Sequence, residues 1–365
     1  MIYRITSSMD ATIYGDNLSQ NTGLDEILEI RKYQKDSIFY SSRILTKFDL
    51  SNISASINDG TISSSASFYL NMYVTDANEI PLDYKLYGHP VSESWEMGVG
   101  KFSYSPAITD GVSWKYKDTS SGSEWLTGSW ASGTTGSFST SSAGGGTWYT
   151  ASVVSQSYSY QKADLHLDVT AIVNNWLDNT IVNDGFILKR SGSDEESSSS
   201  LGSIKFFSKE SNTIFQPTLE VRWDDSSYET GSVTPIISGS TLIDDINITM
   251  RRMRPKYHLA GKPRFRINPR ELYPTKTFAT SSAQMTIKYL PTSSYYSVID
   301  TNSGLELIPF DTDNTKMSCD ENGNYFDLWM DQFEPERYYK ILFKVIDDEG
   351  YERIFENRYM FEVVE

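Results

Sequence analysis

Few residues in this chain could carry covalent or metal chemistry. Its three histidines, His89, His166 and His258, stand at separations that match no metal-ligand motif. The single cysteine, Cys319, has no histidine near it in sequence to activate a thiolate. No GxSxG, HExxH or glycine-rich phosphate loop occurs. The acidic turn Asp320-Glu321-Asn322-Gly323-Asn324 has its glycine in fourth place, where a calcium loop needs it in sixth. Asp331 stands at the twelfth position, where the bidentate glutamate belongs. A hairpin turn is expected there. Carboxylates near Ser92 to Glu96 could supply half of a glycosidase pair, but nothing positions the other half. The sequence therefore predicts no enzyme, no cofactor and no metal.

Two groups of residues could instead bind. Arg251, Arg252, Arg254, Lys256, Lys262, Arg264, Arg266 and Arg270 run without an intervening acid, in a chain whose formal net charge is −16. Such an inversion marks either a solvated face or, as the reading preferred here, a docking surface for acidic neighbours, which copies of the same molecule would offer. Trp114, Trp125, Trp130, Trp148 and Tyr149 lie in or beside a Ser/Gly/Thr-rich stretch from about 119 to 160. A flexible linker would not need these rings. Exposed, they could stack on a neighbouring protein or on sugars.

The elements that must position these groups are almost all strands. Abundant Ser, Thr, Gly, Asn and Tyr, with 13% aromatics, suit short strands and long polar loops. At 365 residues the chain exceeds the usual size of a single core, so two domains are expected. Alternation over Ser42–Leu50 and Ser65–Val74 predicts sandwich strands, the latter with Phe68, Leu70, Met72 and Val74 inward. One short helix is predicted from Val169, Ile172, Val173, Trp176 and Leu177, with Asp168 as its N-cap. A strand Phe186–Leu188 follows it. Residues 1–224 thus form an N-terminal jelly-roll-like β-sandwich and 225–240 a Ser/Thr/Gly/Pro-punctuated linker. Residues 241–365, with about seven strands, form a smaller immunoglobulin-like β-sandwich. The acidic balance argues against nucleic acid and anionic membranes as partners. With one cysteine no internal disulfide forms, and with neither a secretory leader nor an 18-residue apolar run, assembly inside a cell is expected.

Seven segments in register, Asp10–Tyr14, Ser42–Ser51, Ala66–Val74, Val91–Trp95, Asp168–Leu177, Gly185–Leu188 and Pro217–Trp223, resemble the family 96 carbohydrate-binding modules, also called DNRLRE or disaggregatase-related domains. That resemblance implies a jelly-roll-like sandwich and polysaccharide binding. The stretch from Thr292 to Val345 resembles neck and tail structural proteins of T4-like contractile-tailed bacteriophages. It implies a virion part without catalytic residues, assembled in the host cytoplasm by contacts with other neck, tail or portal-proximal proteins and with its own copies. A host polysaccharide is the alternative partner.

Overall fold

The computed structural model describes residues 1–80, 84–126, 134–139, 142–158, 164–198, 201–237, 242–273 and 287–365. The chain is all-β, with 46% of residues in strands, and divides into two compact units. The first comprises residues 4–59 and 67–221; the second comprises 1–3, 60–66 and 222–365.

A four-stranded sheet orders Ile2–Thr6, Thr218–Arg222, Ser67–Met72 and Leu165–Asp168, all of it in the first unit except residues 2, 3 and 222. A larger sheet orders Val154–Tyr158, Tyr84–Pro90, Phe186–Lys189, Ile38–Lys47, Ile27–Lys35, Gly202–Phe207 and Val74–Asn78, with Met9–Tyr14 added beside residues 42–47. Alternation sends Phe68, Leu70 and Met72 inward, as their period-2 spacing predicts. Val74 is half-buried and opens the next strand. Leu167 and Leu188, one from each sheet, both approach Gly88, where a Cβ would meet them at 3.4 and 3.2 Å.

The predicted helix spans Thr170–Leu177 and buries Ile172, Val173 and Trp176. Trp176 meets Phe186 edge-on at 4.6 Å. Asp168 ends the preceding strand; its carboxylate accepts the Thr170 N–H at 3.0 Å, and the N-cap position is Val169. Two further helices correct the expectation of one. Ser51–Asn58 buries only Ile53 and so has almost no apolar stripe. Gly192–Glu196 is a single turn capped by Ser191, which accepts from Asp194 N–H. No helix among the described residues is long and apolar enough to cross a membrane.

The second unit packs a four-stranded sheet (Ile246–Arg251, Arg264–Glu271, Gly323–Asp327, Ser318–Asp320) on a five-stranded one (Lys256–His258, Glu352–Val364, Tyr338–Ile346, Ser294–Asp300, Glu306–Ile308). Ile248, Phe265, Ile267 and Phe326 from one sheet meet Tyr296, Ile341, Phe343 and Phe361 from the other in one apolar core. The expected linker is part of this unit as far as it is described. Ile236 is fully buried in that core, Thr234–Pro235 pairs in parallel with Lys288–Tyr289, and Tyr228 bridges to Cys319. Ser, Gly and Pro there punctuate a largely exposed strip fastened by Ile236 and these pairings; residues 238–240 lie outside the described residues.

Candidate functional site

Of the basic strip, Arg251, Arg264, Arg266 and Arg270 lie on strands of the second unit's four-stranded sheet, Lys256 on the edge strand of the five-stranded sheet, and Arg252, Arg254 and Lys262 between strands. Phe265 and Ile267 point into the core, so Arg264 and Arg266 alternate outward. The register sets Arg251 opposite Arg266, Arg266 opposite Tyr325 and Arg264 opposite Asp327. Arg264 makes a fork of two 2.9 Å bonds to Asp327 with its guanidinium 4.0 Å from the Tyr325 ring centre. Arg266 binds both oxygens of Asp320 at 2.5 and 2.7 Å, 4.9 Å from the same ring. Tyr325 is thus clasped by two arginines that each hold an acid. Lys256 pairs with Glu362 at 3.0 Å, and Lys262 lies 4.5 Å from the Trp329 ring centre. Arg251 donates to Asn268 at 3.1 Å. Among the described residues Arg252, Arg254 and Arg270 are exposed and form no ion pair.

The tryptophans are not a surface. Trp114 is 0%, Trp125 3% and Trp148 7% exposed, and they form a second core with Trp95, Ala11, Ile13, Leu45, Val91, Val112 and Ile187. This corrects the expectation of rings offered to sugar. The cause lies in the larger sheet: Leu45, Ala11, Ile13 and Ile187 leave its other face apolar too, and that face has to be covered. The strand Ser142–Tyr149 covers it through Gly144–Gly146, all at positive φ. A Cβ on Gly144 would lie 2.2 Å from the Trp114 carbonyl oxygen, and one on Gly145 would lie 2.8 Å from the Trp114 ring. Tyr149 is half-buried, with its carbonyl 3.3 Å from His89 Nδ1. Trp130 lies outside the described residues.

Beneath this layer the first unit buries charge. Lys32, Arg43, Lys189 and Arg190 are each 4% exposed or less, and the neighbouring buried carboxylate is Glu195 on the third helix. Arg43 holds both Glu195 oxygens, at 3.1 and 2.5 Å, and lies 4.7 and 5.3 Å from the Trp114 and Trp148 rings. Lys189 is 3.8 Å from Glu195; burial brings its ammonium down to about 8 despite that carboxylate. Lys32 donates to the carbonyls of Asp194 and Ser197 at the end of the same helix. Asp10 is also fully buried. It accepts from Lys209 N–H at 2.8 Å and the Ser7 hydroxyl at 3.2 Å, but burial outweighs both and pushes its carboxyl up to about 7.

Among the described residues are also two hollows that the sequence does not pick out. In the first unit a cavity of about 530 Å³ is lined by Asp16, Glu29, Arg31, Tyr33, Asn78 and Phe102 among others. Arg31 lies among Tyr14, Tyr33 and Phe102, with ring centres at 4.5, 4.8 and 5.2 Å. It pairs with Asp16 at 3.3 Å and Glu29 at 3.5 Å. The only trace of this in sequence is the alternation Glu29, Arg31, Tyr33 on a strand whose Leu28 and Ile30 face inward. In the second unit a notch of about 330 Å³ is lined by Tyr228, Pro235, Ile237, Tyr289, Pro291, Thr292, Asp347 and Asp348. Its acids sit in what reads as a plain turn, and Tyr228 lies in the expected linker.

The remaining reactive types have structural roles. Asp320, in the acidic turn, is the partner of Arg266. Cys319 is buried, and burial pushes its thiol up to about 11. Among the described residues no group of three or more His, Cys, Asp or Glu could hold a metal ion. No protein-family model matches the chain, and no curated protein matches it.

Proposed function

We propose that this chain is a structural component of a tailed-bacteriophage virion, in the neck, tail or baseplate, acting through protein–protein contacts after assembly in the host cytoplasm. The observation that carries this reading is one edge of the second unit, where Leu242, Leu272 and Tyr273 are 64%, 44% and 86% exposed. Leu272 N–H bonds the Asp245 carbonyl, and Arg270, unpaired among the described residues, lies opposite Asn247 on the adjoining strands. Apolar side chains exposed together beside a cation without an ion pair are the composition of a docking surface. The resemblance of Thr292–Val345 to neck and tail proteins points the same way. A single-particle reconstruction of virions of the encoding phage is expected to show this chain in symmetric density at the neck, tail or baseplate. A reconstruction without it overturns the reading.

A second reading, glycan binding by the first unit, is favoured by one observation: the Arg31 hollow puts Tyr33 and the 39%-exposed Phe102 beside Asp16, Glu29 and Asn78. Rings beside carboxylates and amides suit a sugar. A glycan array with the whole chain tests it, with Phe102→Ala expected to abolish the signal; silence for the wild-type chain across host polysaccharides removes it.

A further inference from the structure

We propose that the notch formed by Tyr228, Tyr289, Asp347 and Asp348 receives the Arg252–Arg254 turn of a second copy of this chain, joining copies head to tail. The inference rests on the assembly reading and names the contact.

The notch has the composition of two arginine seats in this chain, one in each unit. Arg31 lies among Tyr14, Tyr33 and Phe102 and pairs with Asp16 and Glu29. Arg264 and Arg266 clasp Tyr325 and hold Asp327 and Asp320. In each case the flat guanidinium faces meet rings while its N–H edges meet carboxylates. In the notch Tyr228 and Tyr289 stand edge to face, 5.9 Å apart at 86°, beside two adjacent aspartates. Tyr228 is fixed by donating its hydroxyl to the Leu290 carbonyl. One Asp347 oxygen accepts from the Tyr351 and Glu349 N–H groups, which holds the turn that presents Asp348. Among the described residues no cation pairs with Asp347 or Asp348. The notch has the rings and the acids of an arginine seat and lacks the arginine.

The chain supplies a matching group in the same unit. Arg252 and Arg254 are exposed and without an ion pair among the described residues. Arg252 is held at φ +52°, a left-handed conformation uncommon for a residue with a side chain, at the turn that follows the strand Ile246–Arg251. Turn and notch lie at opposite ends of the unit. Asp347 and Asp348 belong to the turn that opens the 13-residue strand Glu352–Val364. Lys256, just past Arg254, pairs with Glu362 at the far end of that strand. The strand between them spans about 40 Å at the usual rise per residue. One copy cannot fill its own notch, whereas a second copy can, and the new copy presents a free notch in turn. Contacts of this heterologous kind close into rings or run on as stacks.

The test is sedimentation velocity of the full-length chain at low and high salt. The wild-type chain is expected to self-associate, less so as salt screens the exposed charges. Arg254→Glu and Asp348→Arg are expected each to weaken association about tenfold, and the two reversals in one chain to restore it. Both side chains are exposed, and circular dichroism checks that the variants fold. A wild-type chain that stays monomeric overturns the proposal, as does association that neither reversal changes. The second outcome leaves the assembly reading standing, because copies then associate through another surface. Absence of the chain from virions strikes the assembly reading instead.

Discussion

The two units treat positive charge in opposite ways. The first draws Lys32, Arg43, Lys189 and Arg190 inside, against Glu195, two tryptophan rings and the carbonyl end of a one-turn helix. The second spreads its cations over the outer face of a sheet, some clasped to Tyr325 and its flanking acids, others left open at a turn. A buried cation must have its partners inside the same chain, so it fixes one arrangement of loop on sheet and is closed to anything else. An exposed cation contributes little to the fold and remains available to a neighbour. The first unit's cations are thus committed to its own fold, whereas the second keeps cations open to the neighbour that the assembly reading proposes.

This contrast can be broken most directly at Glu195. Glu195→Ala leaves Arg43 and Lys189 buried beside each other, and is expected to lower stability by roughly 3–5 kcal/mol. Urea unfolding followed by the fluorescence of the adjacent tryptophans measures it; a loss below about 1 kcal/mol would show that the cluster is wetter than its geometry implies. A somewhat smaller effect is expected at Asp10, whose carboxyl is raised by burial to about 7. The fold prefers the protonated acid, so this group's contribution is fully present below its unfolded value near 4 and declines as pH rises through about 7. Asp10→Asn should therefore flatten the pH dependence over that window and stabilise the chain above pH 7 by up to roughly 4 kcal/mol. An unchanged profile would place the titration elsewhere. The smallest effect is expected at the second unit's exposed fork: Arg264→Ala, with Arg264 half exposed, should cost about 1 kcal/mol or less. A larger cost would mean that the outer ladder holds the sheet together and that the contrast between the units is one of degree.

The strands and the Thr170–Leu177 helix were legible because one face of each is apolar: Phe68, Leu70 and Met72 at period two, Ile172, Val173 and Trp176 at helical spacing. Arg43 and Leu45 give no such signal, for the converse reason. Their strand is covered on both faces, and alternation cannot report a second core supplied by residues a hundred positions away. The same cover turns Trp114, Trp125 and Trp148 from apparent binding rings into interior ones. For the site, the basic strip could be read as a charge run, but which of its members are neutralised depends on Asp320, Asp327 and Glu362. These acids lie far along the chain, and only strand pairing brings them alongside. The notch was invisible because its rings and acids come from three separate segments that only the fold brings together.

Cys319 has a practical consequence. It is the only thiol in the chain, buried at 1% exposure with its ionisation pushed up to about 11. Alkylating and maleimide reagents act on accessible thiolate, so the native protein is expected to serve as a cysteine-free background, which a maleimide reaction of the folded chain checks. Reporter groups or intermolecular cross-links can be introduced by a single surface substitution, with the natural cysteine left in place.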